Sequence, residues 1–226
     1  MEVDVLYRPS YAVARVRLAP NEALNAESGA MVGMSAGTQV ETKMRGGVLK
    51  SLTRSMLGGE SFFINTFRGG PQGGEVLLAP SLPGDISVLP LQGHSLLVQS
   101  GSYLGSSEGI AVDTKWGGAK TFFAGEGLFM LKCAGTGTLI LSSYGAIHEL
   151  VLAEGQSYTV DTGHLVAFSE TMRFNIRSIG GLKSLFFSGE GLVVDLYGPG
   201  KVLLQTRSVQ SFLSWIISKI PKSSSS

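Results

Sequence analysis

Three segments of the chain open with the same Gly-Glu pair and run on into an apolar stretch. They are GGESFFINTF from Gly58, GEGLFMLKC from Gly125 and GEGLVVDLY from Gly189. Their glutamates stand at Glu60, Glu126 and Glu190, intervals of 66 and 64 residues. A second family precedes them: LAPNEALNAESGAMVGM from Leu18, LQGHSLLVQSGSYLG from Leu91 and LAEGQSYTVDTGHLVAF from Leu152, with glycines at Gly29, Gly101 and Gly163. A third set follows, EVLLAP, TLILSS and KVLLQT. Self-similarity at a near-constant period marks a repeat architecture. The spacing predicts three pseudo-repeats over about 10–82, 85–145 and 147–206, joined in one three-lobed domain spanning 1–207.

Between its 31 glycines the chain carries short runs rich in Val, Leu, Ile, Phe and Tyr, among them SFFINTF, EVLLAP, DISVLPL, SLLVQS, LFMLKCA, TLILSS, SYTVDT and LVVDLYG. Each is bounded by Gly, Pro, Ser or Asp, the punctuation of strands and tight turns. Some alternate in polarity and others are apolar on both faces, as strands between two layers are. The predicted class is all-β, with the units grouped around a pseudo-three-fold axis.

Two segments read as helices. GGVLKSLTRSMLGG places Val48, Leu49, Leu52 and Met56 at helical spacing and predicts a helix near 46–57. SVQSFLSWIISKIP places Val209, Phe212, Leu213, Ile216, Ile217 and Ile220 on one helical face, with Ser208 as N-cap and Pro221 as stop, predicting a helix over 208–220 and a tail over 221–226. At this length it is too short to cross a bilayer, which takes about 20 apolar residues. Such a stripe packs on its own sheet, on a neighbouring subunit, or on a membrane surface with Trp215 at the polar boundary. Phe212, Leu213, Trp215, Ile216 and Ile220 are the candidate membrane or subunit contacts.

The Gly-Glu-Gly motif does not read as chemistry. A dinucleotide fingerprint needs a third glycine where Met130 and Val194 stand, followed by a helix. A Walker loop is absent from the sequence. Symmetry-related glutamates at Glu60, Glu126 and Glu190 would surround an axis rather than face each other across a cleft as glycosidase carboxylates do. They read as structural corners beside conformationally free glycines. The motif HELVL ends in Leu152, so the zinc-protease pattern H-E-x-x-H fails. His94, His148 and His164 are scattered along the chain. The sequence therefore predicts no catalytic residues, no metal and no cofactor. Lys43, Arg45, Lys50 and Arg54 form the most basic local patch, a candidate anion contact or a solvated helix face.

Charge and composition narrow the classes. The net charge is +1, so no global field gathers nucleic acid. Charged residues are 15% and hydrophobic ones 43%, which suits a chain that buries much surface, in part against other subunits. The single cysteine, Cys133, lies in an apolar run and reads as a buried thiol of a reducing compartment. MEVDVLYRPS has Glu2 and Asp4 where a signal peptide carries basic residues, and it lacks the Arg-rich character of a presequence. The expected localisation is cytoplasmic.

LGGESFFINTF, GEGLFMLKCAGTGTLILSSYG, TVDTGHLVAF and GEGLVVDLYGPGKVLLQT together resemble the altered-inheritance-of-mitochondria family, over about Val3 to Arg207. The resemblance implies a fold of three fused units like the tryptophan RNA-binding attenuator, each a β-sandwich or short double-stranded β-helix, and a homo-oligomer, with a trimer favoured. It supplies no catalytic residues. The reading is a non-enzymatic homo-oligomeric scaffold or assembly protein with peripheral membrane contact through the terminal helix and no nucleic-acid partner. The alternative is a small-ligand or RNA-binding module using grooves between lobes.

Overall fold

In VARVRL, Ala14, Val16 and Leu18 point one way and Arg15 and Arg17 the other, the period-two pattern of a half-buried strand. It forms β2 (Val13–Leu18) with its apolar set fully inside. The same logic runs through a computed structural model that describes residues 1–42, 62–113, 129–179 and 192–221. The chain before the first undescribed stretch gives β1 (Glu2–Leu6), β2, β3 (Ala23–Glu27), β4 (Met31–Met34) and β5 (Gln39–Thr42). There follow β6 (Ile64–Arg68), β7 (Gly74–Leu78), β8 (Ile86–Gln99), β9 (Tyr103–Ser107) and β10 (Ile110–Asp113). Next come β11 (Met130–Ser142), β12 (Ile147–Leu152), β13 (Ser157–Asp161), β14 (Leu165–Ser169) and β15 (Arg173–Ser178). β16 (Leu192–Tyr197), β17 (Gly200–Gln205) and one α-helix, α1 (Val209–Lys219), complete the described chain. The helix expected near 46–57 lies outside the described residues.

The protein is all-β with a C-terminal helix, and its strands pair antiparallel. Four pairings recur along the chain. β2 with β7, the start of β8 with the end of β11, and β12 with β17 form the first. β3 with β6, the end of β8 with the start of β11, and β13 with β16 form the second. β5 with β6, β10 with β11, and β15 with β16 form the third. β4 with β7, β9 with β11, and β14 with β17 form the fourth. Each fourth pairing carries a register shift, falling between Met31 and Gly33, between Ile140 and Leu141, and between Leu165 and Ala167.

Two expectations need correction. DISVLPL and SLLVQS are not separate strands but the two halves of β8, and LFMLKCA and TLILSS are likewise the two halves of β11. The glycines between them bend the strand without ending it. Gly135 has φ +131° and Gly137 φ +153°, and the ladder to β8 shifts register between Ala134 and Thr136. A β-bulge of this kind redirects a strand while its hydrogen bonds resume beyond it. The N-terminal EVDVL, read from sequence only for its charge, is β1, paired with β2 and packing Val3 and Val5 against the core.

Among the described residues the core falls into three apolar clusters, each drawing on more than one stretch of chain. The first gathers β2, β3, β6 and β7 with Leu104 of β9 and Ile140 of β11. The second centres on β8 and β11 but includes Val166 of β14 and Leu203 of β17. The third holds Val160, Phe168, Val194, Leu196 and Val202 together with Leu97 and Met130. Cys133 sits in the second cluster, and burial pushes its thiol up to about 12, so it is an inert packing group.

The junction ahead of β8 is tied by a buried carboxylate. Arg8 donates from Nε and Nη2 to Asp85 at 2.8 and 2.7 Å, and the Ile86 N–H donates to the same carboxylate at 2.8 Å. Burial alone would raise the pKa of Asp85. The Arg8 hydrogen bond, the Ile86 N–H and the guanidinium charge outweigh it and hold the carboxyl below its ordinary value. A depressed folded-state pKa contributes stability above the unfolded carboxylate pKa of ~3.9 and loses it as pH falls through the lower folded value. Asp85→Asn is therefore expected to cost about 2 kcal/mol near neutral pH. Urea unfolding of both proteins should show that difference shrinking as pH drops below about 4.

Candidate functional site

The candidate anion contacts Lys43, Arg45, Lys50 and Arg54, and the glutamates Glu60, Glu126 and Glu190, lie outside the described residues. The three glutamates belong to the segments that join β5 to β6, β10 to β11 and β15 to β16, each a pair of antiparallel neighbours. Among the described residues, no group of three metal-ligating side chains comes together. The C-terminal helix, by contrast, is fully described.

Ser208 adopts extended backbone (φ −113°) and its Oγ accepts the Ser211 N–H, so it caps α1 as the sequence predicts. The helix ends in Lys219, a cation at the negative end of the helix dipole, before Ile220 and Pro221. Its root is fixed to the β body. Gln205 accepts the Tyr144 N–H through Oε1 at 2.9 Å and donates through Nε2 to the Gly163 carbonyl at 2.9 Å. His164 donates from Nδ1 to the Gln205 carbonyl at 2.8 Å, which sets its tautomer. The Arg207 N–H donates to the Tyr144 carbonyl at 3.2 Å.

Beyond that root, the helix touches the body through Phe212 and leaves much of its apolar face exposed. Tyr144 meets Phe212 edge-on at 5.9 Å between ring centroids, and Phe212 stacks near Trp215 at 6.4 Å. No residue of α1 is buried. Leu213 is 45% exposed, Trp215 60%, Ile217 66% and Ile220 59%. Phe212 and Val209 are exposed as well, and only Ile216 is half-buried. The helix forms where the sequence predicts it, and the described body of the chain leaves much of its apolar stripe uncovered.

Beside the root lies an open cleft of about 330 Å³ lined by His148, Tyr158, Asp161, His164 and Gln205. Two of its polar groups are already engaged, since Asp161 accepts the Gly163 N–H and His164 donates to the Gln205 carbonyl. The cleft braces the start of α1. Sequence reasoning missed this role for His164 because the residue it holds is 41 positions away.

Fold and site together define an all-β protein of several antiparallel sheets that presents one short amphipathic helix at its C-terminal end. The chain belongs to the mitochondrial biogenesis AIM24 family, whose model matches residues 3–207. It is 29% identical over 208 residues to an uncharacterised protein of Streptococcus pyogenes serotype M6, covering 88% of this chain and 82% of that one. It is also similar to a Streptococcus pyogenes protein whose crystal structure came from a structural-genomics consortium, with a TM-score of 0.81 and 25% identity. That match covers 97% of this chain and 99% of the other. The family match ends at residue 207, just ahead of α1.

Proposed function

We propose that the chain is a non-enzymatic, homo-oligomeric assembly protein, with a trimer favoured, that makes peripheral contact with a membrane through α1. The recurrence of four strand pairings in β2–β7, β8–β11 and β12–β17 supports reading the body as three units of one kind. One observation carries the function: a hydrogen-bonded root leads into a helix whose apolar stripe is left largely exposed, with Leu213, Ile217 and Ile220 its most exposed aliphatic members. A short helix with an apolar face, Trp215 at its border and Lys219 at its end suits the interfacial plane of a bilayer. No helix among the described residues is long and apolar enough to cross a membrane, so contact through α1 is superficial.

Flotation with vesicles of phosphatidylcholine and phosphatidylglycerol tests the membrane part. The intact protein is expected to float and a chain ending at residue 207 to stay in the dense fraction. Light scattering tests the self-association, with a mass near three times the 23.8 kDa chain expected. Failure of the intact chain to float, or a monomer mass at micromolar concentration, overturns the corresponding half. RNA retention that weakens steeply with salt would favour a nucleic-acid module instead.

A further inference from the structure

The largest sheet of this protein twice crosses from one stretch of chain to the next by the same contact. β3 pairs antiparallel with β9, matching Ala26 to Gly105 and Asn25 to Ser106. β8 pairs antiparallel with β14, matching Val98 to Ala167 and Leu97 to Phe168. The segments NAESGAMVGM, LVQSGSYLGS and TVDTGHLVAF align without gaps at Gly29, Gly101 and Gly163. In that alignment β3 corresponds to the end of β8 and to β13, while β4 corresponds to β9 and β14. The two contacts are then one contact in one register. A third instance would join β13 to β4, but β13 ends one sheet and β4 ends another, and neither has a second neighbour among the described residues.

The exposed state of these two edges marks them as unfinished. Leu104 and Val166 are fully buried, and each belongs to the core cluster of the preceding stretch of chain. Val32, their counterpart on β4, is 62% exposed, and Met31 and Met34 beside it are exposed too. On β13, Tyr158 is exposed where its counterparts Leu24 and Leu96 are buried. The glycines agree. A Cβ on Gly105 would lie 2.9 Å from the Asn25 carbonyl of the crossing strand, whereas one on the equivalent Gly33 would meet nothing within 4 Å. An unpaired strand edge, with its free row of N–H and C=O groups, is a template for another strand unless something covers it.

We propose that β13 of one copy of this chain pairs antiparallel with β4 of a second copy, continuing the sheet across the subunit boundary with Val160 opposite Gly33 and Thr159 opposite Met34. The proposal rests on the self-association put forward above and names its surface. Val32 then enters the third apolar cluster of the neighbouring copy, as Leu104 and Val166 enter the clusters before them. The contact is head-to-tail, so it closes into a ring when the rotation per copy divides a full turn.

Val32→Lys tests this on the intact protein. The side chain is exposed in the single chain, so thermal unfolding should move by no more than a few degrees, while buried in the contact an unpaired ammonium weakens association by about 100-fold or more. Cross-linking supplies an independent readout, because Cys133 is buried and leaves an effectively thiol-free surface. Met34→Cys and Thr159→Cys chains, mixed under mild oxidation, are expected to form a disulfide-linked pair that neither forms alone. An oligomer whose mass ignores Val32→Lys and that gives no cross-link overturns the edge contact but leaves self-association standing. A monomer at every concentration overturns both. A disulfide within one chain of the doubly substituted protein shows that β13 and β4 close on each other, and overturns the intermolecular contact.

Discussion

Gly84→Ala is expected to remove about 3 kcal/mol or more of folding stability, the largest single-residue effect in the body. A Cβ there would stand 1.7 Å from the Ser143 carbonyl oxygen and 2.8 Å from its carbon. Both are backbone atoms, so no side chain can swing aside. Nor is the backbone free to move. The Gly84 carbonyl accepts the Ala12 N–H at 3.0 Å, the Asp85 N–H donates to the Gly145 carbonyl at 3.0 Å, and the Ser143 N–H donates to the Asp85 carbonyl at 3.1 Å. The Gly145 N–H in turn donates to the Pro83 carbonyl at 2.9 Å. Making room for one methyl opens a crossing where the chain ahead of β8 meets the chain ahead of β12. With a total stability of about 5–15 kcal/mol, the loss is a large share of the whole.

Two comparisons isolate the cause. At Gly155 a Cβ meets nothing within 4 Å but φ is +79°, so alanine there carries only the backbone penalty of about 1 kcal/mol. At Gly33 neither constraint applies within the single chain, and alanine is expected to be neutral or stabilising by up to ~1 kcal/mol when unfolding is followed on the unassociated chain. Urea unfolding of the three variants should give that order. Equal destabilisation at Gly84 and Gly155 would show that conformation, not the crossing, sets the demand for glycine.

The strand class was legible because the chain writes it locally. VARVRL alternates, LVVDLY is apolar on adjacent positions, and glycine, proline or aspartate closes each run. The terminal helix was legible for a similar reason: a 3.6-residue period, a serine before it and a proline after it. Strand ends were less so, since glycine marks both a turn and a bulge. Gly93 and Gly135 look like terminators in sequence but sit inside β8 and β11. The Arg8–Asp85 pair was out of reach because its partners are 77 positions apart and each is ordinary in its own surroundings. What covers a surface is the least legible property. Nothing in SFLSWIISKI distinguishes a stripe that docks on its own sheet from one left open, because the difference lies in where β17 releases the chain. The same holds for β4, whose MVGM reads no more exposed than the YLGS of the buried β9.

Leu213→Asp combined with Ile217→Asp is expected to abolish vesicle flotation, lowering the partition by 100-fold or more, while leaving the thermal unfolding of the body unchanged. The two positions are four residues apart, one above the other on the helix, on the exposed flank of the apolar arc. Each apolar side chain moved from water into the interface contributes about 1.5–3 kcal/mol when its burial is complete. Losing two removes several kcal/mol before the unfavourable placement of two carboxylates is added, and 1.4 kcal/mol is a factor of ten. Leu213 is 45% and Ile217 66% exposed in the folded chain, so the substitution removes little packing from the body. Ser214→Asp, on the polar side of the same helix, is the matched control and should float as the unaltered protein does. Salt separates the driving forces: apolar insertion persists when surface charge is screened, whereas attraction between Lys219 and anionic headgroups fades over a Debye length of about 8 Å at physiological ionic strength. If the double substitution lowers the oligomer mass and spares flotation, the stripe is a subunit contact and the membrane half of the proposal falls. If flotation survives in both variants and disappears with salt, the binding surface is a charged one elsewhere on the chain.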